Sequence, residues 1–179
     1  MTNHTTHTPR PDAVDNRMHP LPPDRIRAGG VVGERNDRMI QVRMLSDKAV
    51  NEIVPEAVRA FDERVDDRYM AERGGFWRGE FWGKWVLSAV AACRYNGSPE
   101  LRQTIRDAVD GLLATQDDNG YIGTYHDSAF VRTEGKNMCW NVWCRKYTLW
   151  GLIEAADLLA DDHVLDAAVR FLDQTIAEL

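Results

Sequence analysis

A long internal repeat constrains the fold of this 179-residue chain more than any other feature of its sequence. The stretch GKWVLSAVAACRYNGSPELRQTI begins at Gly83, and the similar stretch RKYTLWGLIEAADLLADDHVLDAAV begins at Arg145, 62 positions later. Two extra residues in the second turn then align Leu101 with Leu165. Each copy predicts a helix, a short turn and a second helix, which together form an αα-hairpin.

Apolar residues at helical spacing support both hairpins. In the first hairpin they predict a buried face made of Trp82, Trp85, Val86, Ala89, Val90, Cys93, Leu101, Ile105, Ala108, Val109, Leu112 and Leu113. In the second they predict a buried face made of Trp143, Tyr147, Trp150, Ile153, Ala156 or Asp157, Leu165, Val169, Leu172 and Ile176. No segment has the alternation of a strand, so the fold class is all-α.

Hairpins of this kind bury their inner faces only by stacking, either in an open solenoid or in a closed α/α toroid. A ring of six such hairpins needs about 370 residues. The chain contains two hairpins preceded by a partial helical unit. We therefore expect αα-hairpin repeats that form part of an (α/α)6 toroid, with an open edge.

The residues before the repeat predict an arm and a short lead-in. Residues 1–28 are rich in Thr, His and Pro without an apolar period, which predicts a disordered arm before a domain at 29–179. Three histidines in the arm lack a rigid frame for a metal; they are His4, His7 and His19. The glycine-containing stretch 29–39 is expected to be the entry into the folded part. The apolar period after Ser46 predicts two short helices, or one helix kinked at Pro55.

The overall charge argues against two classes of partner. The chain has 22 Lys and Arg against 28 Asp and Glu, for a net charge of −6, and it has no basic stripe. Binding to nucleic acid or to an anionic membrane requires clustered cations, so neither partner is expected. Three cysteines without disulfide-scaffold density predict free thiols and a cytoplasmic location.

Four stretches together resemble a known family. GGVVGER, WRGEFWGKWVLSAV, LLATQDDNGYIGTY and WNVWCRKYTLWGLIEA occur in the order and spacing of the β-L-arabinofuranosidase family of glycoside hydrolases, which belongs to the six-hairpin glycosidases. The resemblance covers about residues 29–179 and implies an (α/α)6 barrel that hydrolyses terminal glycosidic bonds in plant-type glycans. The QDDNGYIG turn by itself also resembles terpene-cyclase toroids, but the chain has no Asp-rich metal motif.

The chain departs from the family pattern at several positions. Asn141 stands where the second Trp motif usually carries Asp, and Cys144 is also unusual. The resemblance implies a zinc-bound cysteine nucleophile and a Glu acid/base in a complete member, and none of Cys93, Cys139 and Cys144 matches these residues. We therefore expect no catalytic residue, no metal ligand and no cofactor in this chain, with zinc in a complete family member.

Aromatic and charged residues near the helix starts are the candidate sugar-binding residues. All six tryptophans fall in 77–85 or 140–150. Aromatic faces stack on sugar rings, and charged groups beside them can bind hydroxyls or a sugar carboxylate. The candidate substrate-binding residues are Trp77, Glu80, Trp82, Lys84, Asp118, Tyr121, Tyr125, Trp140, Trp143 and Lys146.

Several alternatives compete with this interpretation. The tryptophans could be core residues, which we favour for Trp85 and Trp150. Glu80 could form a structural salt bridge with Arg145, or it could pair with Asp118 as hydrolytic carboxylates. A zinc site could combine Cys139 and Cys144 with residues such as His126 and Glu134, although the four ligands that structural zinc needs do not form a recognisable motif.

Two function classes follow from these observations. The first is the N-terminal, substrate-lining portion of a glycoside hydrolase domain, inert until another segment completes its ring. The second is a non-catalytic carbohydrate-binding or assembly module, because the edge of an unclosed ring exposes apolar helix faces. The expected partners are a carbohydrate and, at the open edge, another protein or the remainder of the barrel.

Overall fold

The computed structural model describes residues 21–64, 78–126 and 140–178, and it confirms an all-α fold. These ranges contain six α-helices: α1 (Gly30–Arg43), α2 (Val54–Asp62), α3 (Arg78–Asn96), α4 (Pro99–Leu113), α5 (Trp140–Leu159) and α6 (Asp162–Glu178). A 3₁₀ turn at Pro23–Arg25 precedes α1, and a π-helical turn at Ala49–Ile53 leads into α2. Within these ranges, no helix has the length and apolarity that a bilayer crossing requires.

Two αα-hairpins, α3–α4 and α5–α6, form the centre of the fold. Ser98 caps α4 as the sequence predicts, because its hydroxyl accepts a hydrogen bond from the Leu101 N–H at 3.1 Å and Pro99 occupies the first helical turn. Gly97 adopts a φ of +69° in this turn, a value that glycine reaches without strain. In the second turn, the Asp161 carboxylate accepts a hydrogen bond from the His163 N–H at 3.0 Å.

The burial pattern confirms the repeat in the first helices and corrects it in the second. At an offset of 62, buried residues of α3 correspond to buried residues of α5: Gly79 with Asn141, Trp82 with Cys144, Val86 with Thr148, and Val90 with Leu152. In α4 and α6 the buried residues correspond at an offset of 63: Leu101 with Val164, Ile105 with Ala168, and Ala108 with Phe171. The second hairpin therefore has one extra residue and not two.

The second hairpin buries a different face from the one that its large apolar residues predict. On α6, Leu165, Val169, Leu172 and Ile176 are 39–60% exposed, whereas Val164, Ala167, Ala168, Phe171 and Gln174 are buried. On α5, Trp150 and Ile153 are 51% and 46% exposed, so the prediction that Trp150 is a core residue is wrong. The buried face of α5 uses small residues such as Gly151 and Ala155, because small side chains let two helix backbones approach closely.

Close contact between α3 and α5 joins the two hairpins. An added Cβ at Gly83 would lie 2.2 Å from the Tyr147 carbonyl oxygen, and one at Gly79 would lie 2.9 Å from the Cys144 Cβ. From the other helix, a Cβ at Gly151 would lie 2.9 Å from the Trp82 ring. These glycines therefore allow the two first helices to pack backbone against backbone.

Polar contacts bind the two hairpins at the opposite end of the same helices. The Arg94 guanidinium contacts Glu154 at 2.5 Å and Asp157 at 2.6 Å. From α4, Arg102 donates to the Leu158 carbonyl at 2.5 Å. Arg106 forms an ion pair with Asp161, and this hydrogen bond lowers the pKa of the Asp161 carboxyl below its ordinary value. The α4 face that carries these arginines is thus the face toward the following hairpin.

A buried arginine network connects α5 to the C-terminal half of α6. Arg145 is only 3% exposed, and it donates to Asn141 at 2.9 Å and to Glu178 at 2.8 Å. It also donates to Gln174 at 2.9 Å and Thr175 at 3.0 Å. A buried cation is tolerated when it is paired and hydrogen-bonded, and here Glu178 supplies a carboxylate and four side chains accept hydrogen bonds.

The lead-in contains a helix that the sequence analysis did not predict. The glycine-containing entry at 29–39 forms most of helix α1, which buries only Gly33 and Ile40. After Ser46, the π-helical turn and the short helix α2 match the expectation of interrupted helices, and Pro55 lies in the first turn of α2.

Of the predicted arm, residues 1–20 lie outside the described ranges, so its disorder stays a prediction. At its end, the Ala28 N–H donates to the Tyr95 hydroxyl at 3.1 Å.

The Gly83 contact yields a stability prediction. Substitution Gly83→Ala should lower the free energy of unfolding by about 2 kcal/mol or more, because overpacking against a backbone carbonyl outweighs the ~1 kcal/mol that alanine gains in a helix. Thermal or urea denaturation followed by circular dichroism measures this change. The control Ala91→Ser adds one atom to an exposed position of the same helix and should change stability by less than about 0.5 kcal/mol. Equal stability of the two variants would contradict the backbone contact.

The arginine network yields a second stability prediction. Substitution Asn141→Leu removes the oxygen that accepts from the Arg145 Nε–H, and it should cost about 1–3 kcal/mol because a buried charged donor loses a partner. Asn141→Asp keeps an acceptor oxygen there and should be clearly less destabilising. Denaturant unfolding of the three proteins makes the comparison. A leucine variant as stable as the aspartate variant would show that this hydrogen bond contributes nothing.

Candidate functional site

A polar–aromatic cluster lies where the first two turns of α3 and α5 meet. We define it by five residues: Glu80, Lys84, Trp143, Lys146 and Tyr147. Glu80 is 8% exposed; one of its carboxylate oxygens contacts the Lys84 Nζ at 2.8 Å, and the other accepts a hydrogen bond from the Trp143 indole N–H. The Trp143 and Tyr147 rings meet edge to face with centroids 5.4 Å apart. The cluster is therefore held by contacts between the two hairpins.

The charges of the cluster leave one cation without a carboxylate. Glu80 is occupied by Lys84 and Trp143, so it serves as an anchor that orients both side chains. The Lys146 Nζ lies 3.7 Å from the Trp143 ring centroid and 4.1 Å from the Tyr147 ring centroid. Among the described residues, Lys146 has these cation–π contacts and no ion pair. The exposed cluster thus offers an aromatic surface and ammonium donors, which suit stacking on a sugar and hydrogen bonding to its hydroxyls.

A cavity of about 710 Å³ opens beside the cluster, between α3 and the pair α1–α2. Lys84 belongs to both, because it lines the cavity and takes part in the cluster. Nine of the 14 lining residues are apolar: Met39, Met44, Ile53, Val54, Ala57, Ala60, Phe81, Trp82 and Trp85. The Trp85 indole nitrogen is buried without a hydrogen-bond partner among the described residues. This volume falls within the range of small-molecule sites.

The structure brings together four of the ten candidate residues: Glu80, Lys84, Trp143 and Lys146. Tyr147 is an additional member that the sequence analysis placed in the core. Its position four residues after Trp143, on the same side of a helix, was the available signal. The walls that α1 contributes to the cavity were also missed, because α1 was not predicted as a helix.

Three other candidates, Trp82, Tyr121 and Tyr125, are buried in the fold. Trp82 is completely buried, and its indole N–H donates to the Ala108 carbonyl at 2.9 Å. Tyr121 and Tyr125 are each 2% exposed, and the Tyr121 hydroxyl donates to the Tyr125 carbonyl at 3.1 Å. Burial raises the pKa of Tyr121 to about 12, so its hydroxyl stays protonated. These side chains are held by packing and hydrogen bonds within the fold, so they do not belong to the polar–aromatic cluster.

The other three candidates are Asp118, Trp140 and Trp77. Asp118 is exposed in the turn after α4, and Trp140 is half-buried at the start of α5. Trp77 lies outside the described residues. The suggested hydrolytic pair of Glu80 and Asp118 has no support, because the Glu80 carboxylate is already held by Lys84 and Trp143.

The predicted salt bridge between Glu80 and Arg145 does not form. Glu80 faces the exposed cluster, whereas Arg145 points to the opposite side of α5 and bonds to Glu178. The first two turns of α5 therefore carry two separate polar systems. One faces the surface of the cluster, and the other stabilises the hairpin.

The two described cysteines, Cys93 and Cys144, are both buried. Cys93 packs in the core beside the Ser98 carbonyl, and burial raises the pKa of its thiol. Cys144 packs against Gly79. Within the described ranges, no three His, Cys, Asp or Glu side chains form a group that could hold a metal ion. Cys139 and Glu134, from the suggested zinc site, lie outside those ranges.

Comparison with known proteins identifies the family. No curated protein and no solved structure gives a significant match. Residues 14–179, nearly the whole chain, match the family model described as β-L-arabinofuranosidase, GH127 catalytic domain. The resemblance based on the four sequence stretches is therefore confirmed. The chain belongs to the β-L-arabinofuranosidase family and carries its GH127 catalytic-domain sequence.

Proposed function

We propose that this chain forms part of the inner wall of a carbohydrate-binding ring in a glycoside hydrolase domain. The catalytic domain of its family is an (α/α)6 toroid, and in such a ring the first helix of each hairpin lines the interior. The polar–aromatic cluster binds and orients the sugar. The substrate class is a terminal L-arabinofuranoside of a plant-type glycan, in keeping with the family.

One observation carries the proposal: α3 and α5 expose the same positions of the repeat. At an offset of 62, Phe81, Lys84, Ser88 and Ala91 correspond to Trp143, Lys146, Trp150 and Ile153, and all eight are exposed. Two adjacent helices that share an exposed face form one continuous surface. Its aromatic rings and ammonium groups have the composition of a sugar-binding surface and not of a core.

The residues of this chain supply binding, and the chemical step belongs to other residues of a completed domain. The family resemblance implies a zinc-bound cysteine nucleophile, and Cys93 and Cys144 are both buried. Zinc would activate that nucleophile when bound. In this chain, Glu80 orients Lys84 and Trp143, and these two side chains bind the sugar.

A second candidate function is a non-catalytic carbohydrate-binding or assembly module. The apolar face of α6 favours it, because Leu165, Val169, Leu172 and Ile176 form an uncovered stripe with helical spacing. At the offset of 63, Leu165 and Val169 correspond to Arg102 and Arg106, the arginines through which α4 contacts the following hairpin. We infer that a further hairpin of the same kind covers this stripe, whether from a longer chain or from another protein.

The cytoplasmic location stays a prediction.

Sugar binding tests the proposed function. The chain should bind methyl β-L-arabinofuranoside, and Trp143→Ala should weaken this binding at least tenfold, because the ring that carries Lys146 and bonds Glu80 is removed. Isothermal titration calorimetry measures the affinities. The control Ile176→Ala truncates an exposed apolar side chain of α6, outside this surface, and should change the affinity less than twofold. Equal binding by the parent and the Trp143 variant would refute the cluster as a sugar site.

Turnover separates the two candidate functions. The 179-residue chain should not hydrolyse aryl β-L-arabinofuranosides, with or without added zinc, because the nucleophile lies in other parts of a complete domain. Robust zinc-dependent hydrolysis by the chain would refute this division of roles. Hydrolysis that appears only when a second polypeptide is added would support completion of a ring.

The α6 stripe gives a separate prediction about association. Light scattering should show the chain to self-associate at high concentration, since an uncovered apolar face of this kind favours association. The double substitution Leu165→Glu and Leu172→Glu should restore a monomer with unchanged helical content. The control Asp173→Glu alters an exposed residue of the same helix and should leave association unchanged. A parent chain that stays monomeric and binds no hydrophobic dye would count against an uncovered stripe.

A further inference from the structure

The cavity beside the cluster has a different chemistry from the cluster itself. Its walls are mainly Met, Ile, Val, Ala, Phe and Trp side chains, and its charged residues are Arg43, Glu56, Arg78 and Lys84. Three of these four are already paired: Glu56 with Arg59, Arg78 with Glu63, and Lys84 with Glu80. A sugar buried here would leave several hydroxyl groups without partners, and each unpaired hydroxyl is costly to bury.

An apolar group suits these walls better. Phe81 is 51% exposed at the cavity, and the side chains of Met39 and Ile53 on the opposite wall are also exposed. An occupant that covers these side chains removes apolar surface from water, which is the main favourable contribution to binding in such sites. The volume of about 710 Å³ accommodates a group with one or two aromatic rings.

The cavity and the cluster are contiguous through one side chain. Lys84 lines the cavity, its Nζ lies 2.8 Å from the Glu80 carboxylate, and it also lies 4.9 Å from the Tyr147 ring centroid. A molecule with a sugar on the cluster therefore has an apolar cavity directly beside that sugar. The two surfaces match the two halves of a glycoside that carries an apolar aglycone.

We propose that the site takes glycosides with an apolar, aromatic aglycone, with the sugar on the polar–aromatic cluster and the aglycone in the cavity between α1–α2 and α3. This inference rests on the proposed function, because it assigns the sugar to the same cluster. It adds the chemical class of the group to which the sugar is attached. The helices α1 and α2 thereby acquire a role in specificity.

Calorimetric titration of the 179-residue chain with two glycosides tests the inference. The probes are methyl β-L-arabinofuranoside and 2-naphthyl β-L-arabinofuranoside, which differ only in the aglycone. The naphthyl glycoside should bind at least tenfold more tightly, because its rings bury apolar area in the cavity. Equal affinities would overturn the inference and leave the proposed sugar site standing. Failure of both glycosides to bind would overturn the proposed function, and the inference with it.

Two variants locate the aglycone. Ala57→Phe fills the cavity and should remove the naphthyl advantage without changing the affinity for the methyl glycoside. The control Ala114→Phe places the same side chain at a second, smaller cavity between α2 and α4 and should keep the advantage. Phe81→Ala removes an exposed wall without overpacking and should also reduce the advantage, which guards against a misfolded Ala57 variant. A naphthyl advantage that persists in both Ala57→Phe and Phe81→Ala would refute the assignment to this cavity.

Discussion

The close approach of α3 and α5 is the contact on which the rest of the structure depends. It requires a hydrogen in place of a side chain at Gly83, where the Tyr147 backbone lies against the helix. With the two axes this close, Glu80 on one helix reaches the Trp143 indole on the other. The same approach buries Trp82 against Gly151. Helix packing and the candidate site are therefore two results of one arrangement.

The charged groups of the two helix starts divide according to their surroundings. Arg145, inside the second hairpin, is surrounded by four hydrogen-bond acceptors and lies near the Tyr121 ring, with 4.8 Å between the guanidinium carbon and the ring centroid. Lys146, the next residue, faces a different side of the helix and rests on two aromatic rings. A turn of 100° per residue separates a structural cation from a surface cation. The helix therefore stabilises the fold and presents a binding group within one turn.

The open faces of the second hairpin explain why the apolar pattern misled the prediction. Large apolar residues on α6 indicate a surface that is meant to be covered, but not which element covers it. Within the described chain, α6 packs on its partner through Ala167, Ala168 and Phe171, and the stripe from Leu165 to Ile176 faces away. Apolar residues recur at the same helical spacing on a face that packs within the hairpin and on a face that another element covers. Only the arrangement of neighbouring helices distinguishes them.

The sequence by itself determined the all-α class, the two hairpins, the offset of 62 in the first helices, the cap at Ser98 and the family. These features depend on local periodicity, turn chemistry and motif order, all of which are present in the chain before it folds. Tertiary structure alone decided that Glu80 pairs with Lys84 and Trp143 while Arg145 pairs with Glu178. It also decided that Trp82 is core, that Trp150 is exposed, and that α1 and α2 enclose a cavity against α3. The physical reason is that partner choice and burial depend on contacts between residues distant in sequence, and those contacts are set by how closely the helix backbones approach.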